Sequence, residues 1–198
     1  MDGAMGTMIQ EHKLDEQGFR GELFKNHRSE LKGCNDLLSL TQPEIIEDIH
    51  RAYLDAGADI LETNTFNSTC VSLADYALEE HVYDINLAAA QQAKHAAAEF
   101  TDADPDRPRF VAGAIGPTSK TTSISSDVND PGYRAVTFDD MVETYMEQIR
   151  GLMDGEVDML MFETVFDTLN CKAGLYAADT YFETIGRRVP LMVSGTIT

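Results

Sequence analysis

Short, unbroken apolar runs recur along the chain, each after a stretch in which apolar residues return every three or four positions. The runs are Ala58 to Leu61, Phe110 to Ile115, Val157 to Phe162 and Pro190 to Val193. A run that is apolar throughout, instead of alternating, is what a strand covered on both faces requires, so these read as buried parallel strands. Before the first run, Ile45, Ile46, Ile49, Tyr53 and Leu54 fall on one helical face. Thr41-Gln42-Pro43-Glu44 is expected to start that helix as a capping box with proline in the first turn, and Gly57 to stop it. Gly155 and Gly186 stand in similar places after later helices, where a left-handed residue is expected.

The stretch between the first two runs predicts a short helix near Ser72 to Leu78 and an alanine-rich one through Asn86-Leu87-Ala88-Ala89-Ala90, closed by a polar turn over Asp102 to Pro108. Phe138 to Asp154 carries Met141, Val142, Tyr145, Met146, Ile149 and Leu152 at helical spacing, a stripe that reads as core packing. Asp167 is placed to cap the next helix, whose apolar positions are Leu169, Ala173, Leu175, Tyr176 and Phe182. Strand and helix therefore alternate, which implies a parallel sheet with right-handed crossovers. Two architectures satisfy that, an open doubly wound sheet and a closed (β/α)8 barrel. A weak echo between Asp59-Ile60-Leu61-Glu62-Thr63 and Met159-Leu160-Met161-Phe162-Glu163-Thr164 suits the barrel. Gly113-Ala114-Ile115-Gly116-Pro117 lacks the spacing of a dinucleotide fingerprint.

Each run ends in polar or small residues: Glu62-Thr63-Asn64-Thr65, Gly116-Pro117-Thr118, Glu163-Thr164 and Ser194-Gly195-Thr196. In a parallel barrel these converge on one mouth, the face where such folds place their chemistry. The competing reading is that Glu62 and Glu163 cap helix starts or pair with nearby amides. The opening segment Asp2-Gly3-Ala4-Met5-Gly6-Thr7-Met8 looks like a strand-to-helix loop whose strand is cut short. Its glycines would let backbone amides approach an anion such as an amino-acid carboxylate.

Composition narrows the classes. Across 198 residues, 34 acidic against 15 basic side chains give a formal charge of -19, which argues against a nucleic-acid backbone as partner. A membrane-spanning run and a secretory signal are both missing from the pattern, so the cytoplasm is the expected compartment. Cys34, Cys70 and Cys171 are odd in number and widely spaced, which suggests neither a disulfide framework nor a zinc finger. The histidines His12, His27, His50, His81 and His95 form no metal-binding motif.

Five motifs resemble the homocysteine-binding domain of cobalamin-dependent methionine synthase, in the homocysteine S-methyltransferase family. They are Asp2-Gly-Ala-Met-Gly-Thr-Met-Ile-Gln10, Glu62-Thr-Asn-Thr-Phe-Asn-Ser-Thr69, Asp127-Val-Asn-Asp-Pro131, Phe162-Glu-Thr-Val-Phe-Asp-Thr-Leu-Asn170 and Ser194-Gly-Thr-Ile-Thr198. They occur in the family's order and reach from one end of the chain to the other. The resemblance implies that residues 1–198 are the N-terminal part of a (β/α)8 barrel, holding its second to fifth strands with the first truncated. It implies substrate contacts from Asp2, Gly3, Met5 and Glu163, with Glu163 receiving the substrate ammonium; Asn64 and Asn67 are further candidates.

The same resemblance implies transfer of a methyl group from methylcobalamin, ultimately from methyltetrahydrofolate, to a homocysteine thiolate activated by zinc. Zinc and cobalamin belong to the intact enzyme. The cysteines of this chain do not stand at the family's metal positions, so no metal and no catalytic residue is expected here, and the fragment alone is expected to be inactive. The implied partners are homocysteine and the folate and cobalamin modules of a longer chain, and open barrel edges invite self-association. The alternatives are a stand-alone methyltransferase using betaine or S-methylmethionine, and a non-catalytic amino-acid-binding remnant.

Overall fold

The structure, a computed structural model, describes residues 1–125 and 127–197. Ser126, and Thr198, the last residue of the fifth motif, lie outside the described residues. In chain order the elements are α1 (Met5–Glu11), α2 (Glu16–Arg20), α3 (Leu38–Thr41), α4 (Pro43–Asp55), β1 (Ile60–Glu62), α5 (Cys70–Leu73), α6 (Val82–Ala103), β2 (Phe110–Ile115), α7 (Phe138–Asp154), β3 (Met159–Val165), α8 (Thr168–Ile185) and β4 (Leu191–Gly195). Short 3-10 turns lie at Asn35–Leu37, Ala74–Tyr76 and Glu79–His81.

All strand pairs are parallel and the sheet order is β1-β2-β3-β4. An open doubly wound sheet reverses its strand order and carries helices on both faces. Here the order never reverses, and α6, α7 and α8 pack on one face. Ala90, Ala93 and Ala97 of α6, Met141, Tyr145 and Ile149 of α7, and Ala173, Ala177 and Phe182 of α8 form one buried cluster with Leu61, Val111, Ile115, Leu160 and Phe162 of the strands. Because side chains alternate across a strand, Glu62, Ala112, Ala114, Met161 and Glu163 belong to the opposite face. This arrangement is part of a (β/α)8 barrel, with its helices outside. The methionine stripe of α7 is core, as its spacing indicates. A second cluster joins Ile9 and Phe19 to Leu37, Ile46, Ile49 and Val82, packing the N-terminal helices against α4 and α6.

The Phe138 to Asp154 and Phe110 to Ile115 elements coincide with their sequence pattern; the other strand boundaries shift. β1 and β3 begin after an acidic residue and run on into their polar ends. Asp158 is taken up in a junction: its carboxylate binds Lys94 Nζ at 2.9 Å and accepts from the Val111 amide at 2.7 Å. Asp2 runs alongside β1, its amide donating to Ile60 O at 2.8 Å.

Three local expectations are corrected. Thr41 does not cap α4: it closes α3, and Gln42 at the N-cap makes no side-chain capping bond. The capping box is instead at α7, where Thr137 and Asp140 each receive the other's amide. Gly155 is not left-handed, with φ -80°. Its glycine is required by packing, because a Cβ would stand 2.4 Å from Ala90 Cβ on α6. Gly57 and Gly186 do take positive φ, 102° and 66°. Leu169 and Tyr176 of α8 face outward, 36% and 59% exposed. His50 on α4 is fully buried and neither ring nitrogen has a partner, so burial lowers its pKa to about 4 and keeps it neutral.

Candidate functional site

At the C-terminal ends of the strands a cavity of about 340 Å3 opens between the 2–6 segment, the end of β1 and the end of β3. Asp2, Gly3, Met5 and Glu163, remote in sequence, all line it, together with Glu62, Asn64 and Phe66. A larger groove of about 690 Å3 lies on the outer wall against α6, around Phe24, His27, His81 and Leu87. It touches none of the strand ends where this fold gathers its polar residues.

Each wall of the mouth has a local cause. Gly3 lies against Tyr53 of α4, so close that a Cβ would be 3.1 Å from the ring. The glycine that the sequence marks as giving room to a ligand also gives room to that phenol. Ala4 occupies the N-cap of α1 and has no side chain to accept from the first-turn amides, and Met5 and Gly6, which carry two of them, line the cavity. Gly116 at the end of β2 lets the Phe66 segment cross over it, since a Cβ there would stand 2.3 Å from Phe66 O.

Thr63 and Thr65 fix the loop after β1. The Thr65 hydroxyl donates to Ala114 O at 2.7 Å, so Thr63 must donate to Thr65 across their 2.6 Å contact while accepting from the Ala114 amide. Asn64 is occupied as scaffolding, its amide donating to Asn35 O and Ser39 Oγ. Asn67 lines a separate cavity with Asp36 and Thr118, and its backbone amide is held by the buried Asp36 carboxylate at 2.8 Å.

Glu163 is set by an irregularity in β3. Phe162 pairs with Val193 and Val165 with Gly195, so two residues of β3, Glu163 and Thr164, oppose one residue of β4. Thr164 takes φ 54°, an outlying conformation for a β-branched residue. The bulge returns Val165 to the helix-facing cluster, leaving Glu163 at the mouth.

The electrostatics of this mouth are one-sided. Asp2, Glu62 and Glu163 line it and no basic side chain does. The Asp2 carboxylate accepts from the Glu62 amide at 3.0 Å through Oδ2, while its buried Oδ1 has no partner. Burial pushes the Asp2 pKa up to about 7 against the pull of that amide, and the Glu62 carboxylate adds to the rise. Glu163 is likewise raised to about 7, by burial first and then by Glu62. Burial raises Glu62 itself. Among the described residues neither Glu62 nor Glu163 caps a helix. The positive α-amino group of Met1 pulls Asp2 and Glu62 down against burial but does not act on Glu163, so the mouth is suited to a further cation that arrives on a ligand.

The sequence profile of the family described as homocysteine S-methyltransferase matches residues 1–198. The chain belongs to the homocysteine S-methyltransferase family. Its fold is similar to that of the homocysteine methyltransferase MmuM from Escherichia coli. The metallated form has a TM-score of 0.69 at 20% identity, covering 91% of this chain and 58% of that one. The apo form has a TM-score of 0.66 at 19% identity, covering 99% and 58% respectively. This chain therefore spans less than two thirds of the length of those relatives.

Zinc, which the family resemblance implies, does not fit the residues present. Cys34 is buried, with its thiol pushed up to about 12 mainly by burial. Cys70 contacts Thr144 on α7, and Cys171 lies on α8 beside the helix-facing cluster. Among the described residues no group of three or more His, Cys, Asp or Glu could hold a metal ion. No described helix is long and apolar enough to cross a membrane. Sequence reasoning weighed Glu62 only as a strand-end carboxylate. Its repetition as Glu-Thr in β1 and β3 was the signal that it shares a mouth with Glu163.

Proposed function

We propose that this chain is the homocysteine-binding part of a methionine synthase barrel, in which a methyl group passes from methylcobalamin to the homocysteine sulfur. The observation that carries the reading is the convergence of Asp2, Gly3, Met5 and Glu163 on one cavity that has three carboxylates and no basic side chain. Glu163 receives the substrate ammonium, Met5 lies along the two-carbon thiol side chain, and the amides of the Gly3 to Gly6 segment take the carboxylate. A charge-assisted bond from ammonium to carboxylate is strong in such a half-closed site, and it offsets the cost of holding that carboxylate out of water.

Methyl transfer to sulfur requires the thiolate, and a free thiol is mostly protonated at neutral pH. The chain's own residues therefore account for capture and orientation of the amino-acid end, and none of them is assigned to thiol activation or to the cobalamin donor. The five motifs in family order support the cobalamin type. A stand-alone homocysteine methyltransferase is the second reading, supported by the fold shared with the homocysteine methyltransferase MmuM.

Calorimetric titration with L-homocysteine at pH 8 tests the site. The wild-type chain should bind, and Glu163→Gln should weaken binding by at least about tenfold, as expected for loss of a partly buried charge pair. Absence of binding to wild type, or equal binding to both, would overturn the assignment. Binding should also weaken as pH falls below about 7, because Glu163 must then release a proton to receive the ammonium.

A further inference from the structure

Glu62 has no part in the substrate contacts that the family resemblance supplies, yet it lines the same cavity. Its position follows from the sheet. Leu61 is fully buried in the helix-facing cluster, so Glu62, the next residue, turns to the inner face. Between β1 and β3, strand β2 offers Ala112 and Ala114 to that face at the level of the strand ends, its Phe110 lying at the far end against Ile60, and Glu62 pairs in register with Ala112. No bulky side chain on β2 separates the carboxylate of β1 from that of β3.

The Glu62 backbone is also engaged. Its amide donates to Asp2 Oδ2 at 3.0 Å, fixing the strand end against the 2–6 segment. Its carboxylate makes no hydrogen bond or close ion pair among the described residues, and the Met1 α-amino group acts on it only through space. The unpartnered, buried Oδ1 of Asp2 lies at the same mouth. Three carboxylates facing one cavity are more than an ammonium needs for binding, and the surplus negative charge acts on whatever else the ligand carries.

We propose that Glu62 is a specificity-determining residue of this pocket, making an ammonium group on the ligand obligatory and rejecting thiol acids of the same length that bear a carboxylate but no amine. This inference rests on the homocysteine reading of the site. Homocysteine and 4-mercaptobutanoate share the thiol and the carboxylate, and differ in the amine. An anion keeps the amide contacts of the Gly3 to Gly6 segment but meets repulsion from Glu62, Asp2 and Glu163 with no ammonium pair to offset it. The zwitterion meets both terms. A like charge built against the wrong ligand discriminates as effectively as a contact made to the right one.

Calorimetry with both ligands on wild type, Glu62→Gln and Glu62→Asp decides this. Wild type should prefer homocysteine strongly, Glu62→Gln should narrow the preference by about tenfold, the equivalent of one pKa unit of interaction, and Glu62→Asp should largely retain it. The narrowing should arise mainly from gain of mercaptobutanoate binding, which a damaged fold does not produce. An unchanged preference in Glu62→Gln, with homocysteine still bound by wild type, would overturn the inference alone. No homocysteine binding by wild type would remove the underlying reading and the inference with it. A ligand-free measurement adds a second arm: the carboxyl carbon of Glu163, followed by NMR, should titrate at lower pH in Glu62→Gln than in wild type, and coincident titrations would overturn the proposal.

Discussion

At the end of β1, Glu62-Thr63 leads into a turn whose polar groups are paired with one another, whereas at the end of β3 the same dipeptide, Glu163-Thr164, sits in a bulge. Thr63 is 4% exposed and exchanges hydrogen bonds with Thr65 and the Ala114 amide. Gln148 of α7 adds a bond to Thr65 O at 2.8 Å. Thr164 stands at φ 54° and makes no side-chain bond among the described residues. Identical residues at equivalent strand ends thus do different work. One threonine holds a loop; the other tolerates a strained backbone that leaves its neighbouring glutamate at the mouth.

That contrast can be broken by substitution. The largest effect on stability is expected at Thr63→Val, which leaves the buried Ala114 amide without an acceptor and Thr65 without a donor. It should lower unfolding free energy by about 1–3 kcal/mol in a denaturant titration, while Thr164→Val stays within about 0.5 kcal/mol of wild type. Next in size is a pH-dependent difference at Glu163. Below about pH 4.5, the ordinary value, the carboxyl is protonated in folded and unfolded chains alike, and Glu163→Gln should match wild type. As pH rises toward about 7 the folded protein must ionise a half-buried group, so wild type loses stability relative to the variant, and the gap should level off above that pH. A gap that shrinks with rising pH would contradict the burial argument. The same variant should lose homocysteine, so the site exchanges stability for function.

A smaller effect, of opposite sign to that of Thr63→Val, is expected from Thr164→Gly. Relief of the left-handed strain should leave stability unchanged or raise it by up to about 1 kcal/mol, whereas Thr63→Gly should destabilise. Thr137→Ala offers a separate check on the helix starts. It should cost about 1 kcal/mol by removing the capping box of α7, and Thr41→Ala should have little effect, since Thr41 caps nothing.

Much of the architecture was legible because it depends on local periodicity. The unbroken run Phe110 to Ile115 and the stripe from Met141 to Leu152 each have one way to bury their apolar face, and α7 and β2 keep the predicted bounds. Asp167 was recognisable as a cap because the residues that follow it are helical, and it does accept from the Leu169 and Asn170 amides. Thr41 misled because a capping box can be read from four residues, but the preceding turn continued as α3 and consumed it. Gly155 misled for a related reason, since the sequence shows a glycine after a helix without showing that Ala90 of another helix lies against it.

Among site residues, Asp2, Gly3, Met5 and Glu163 were named from motifs, yet nothing in the spacing says that residues 2 and 163 face each other. The sequence by itself determined which segments become strands and helices and which strand ends are polar, because burial of apolar faces follows a fixed period. Only the tertiary structure decided that the carboxylates of Asp2, Glu62 and Glu163 share a mouth that no basic side chain lines, and that a bulge in β3 leaves one of them there. Strand pairing and close packing bring together groups far apart in the chain, and electrostatic energy depends on that distance and on the exclusion of water.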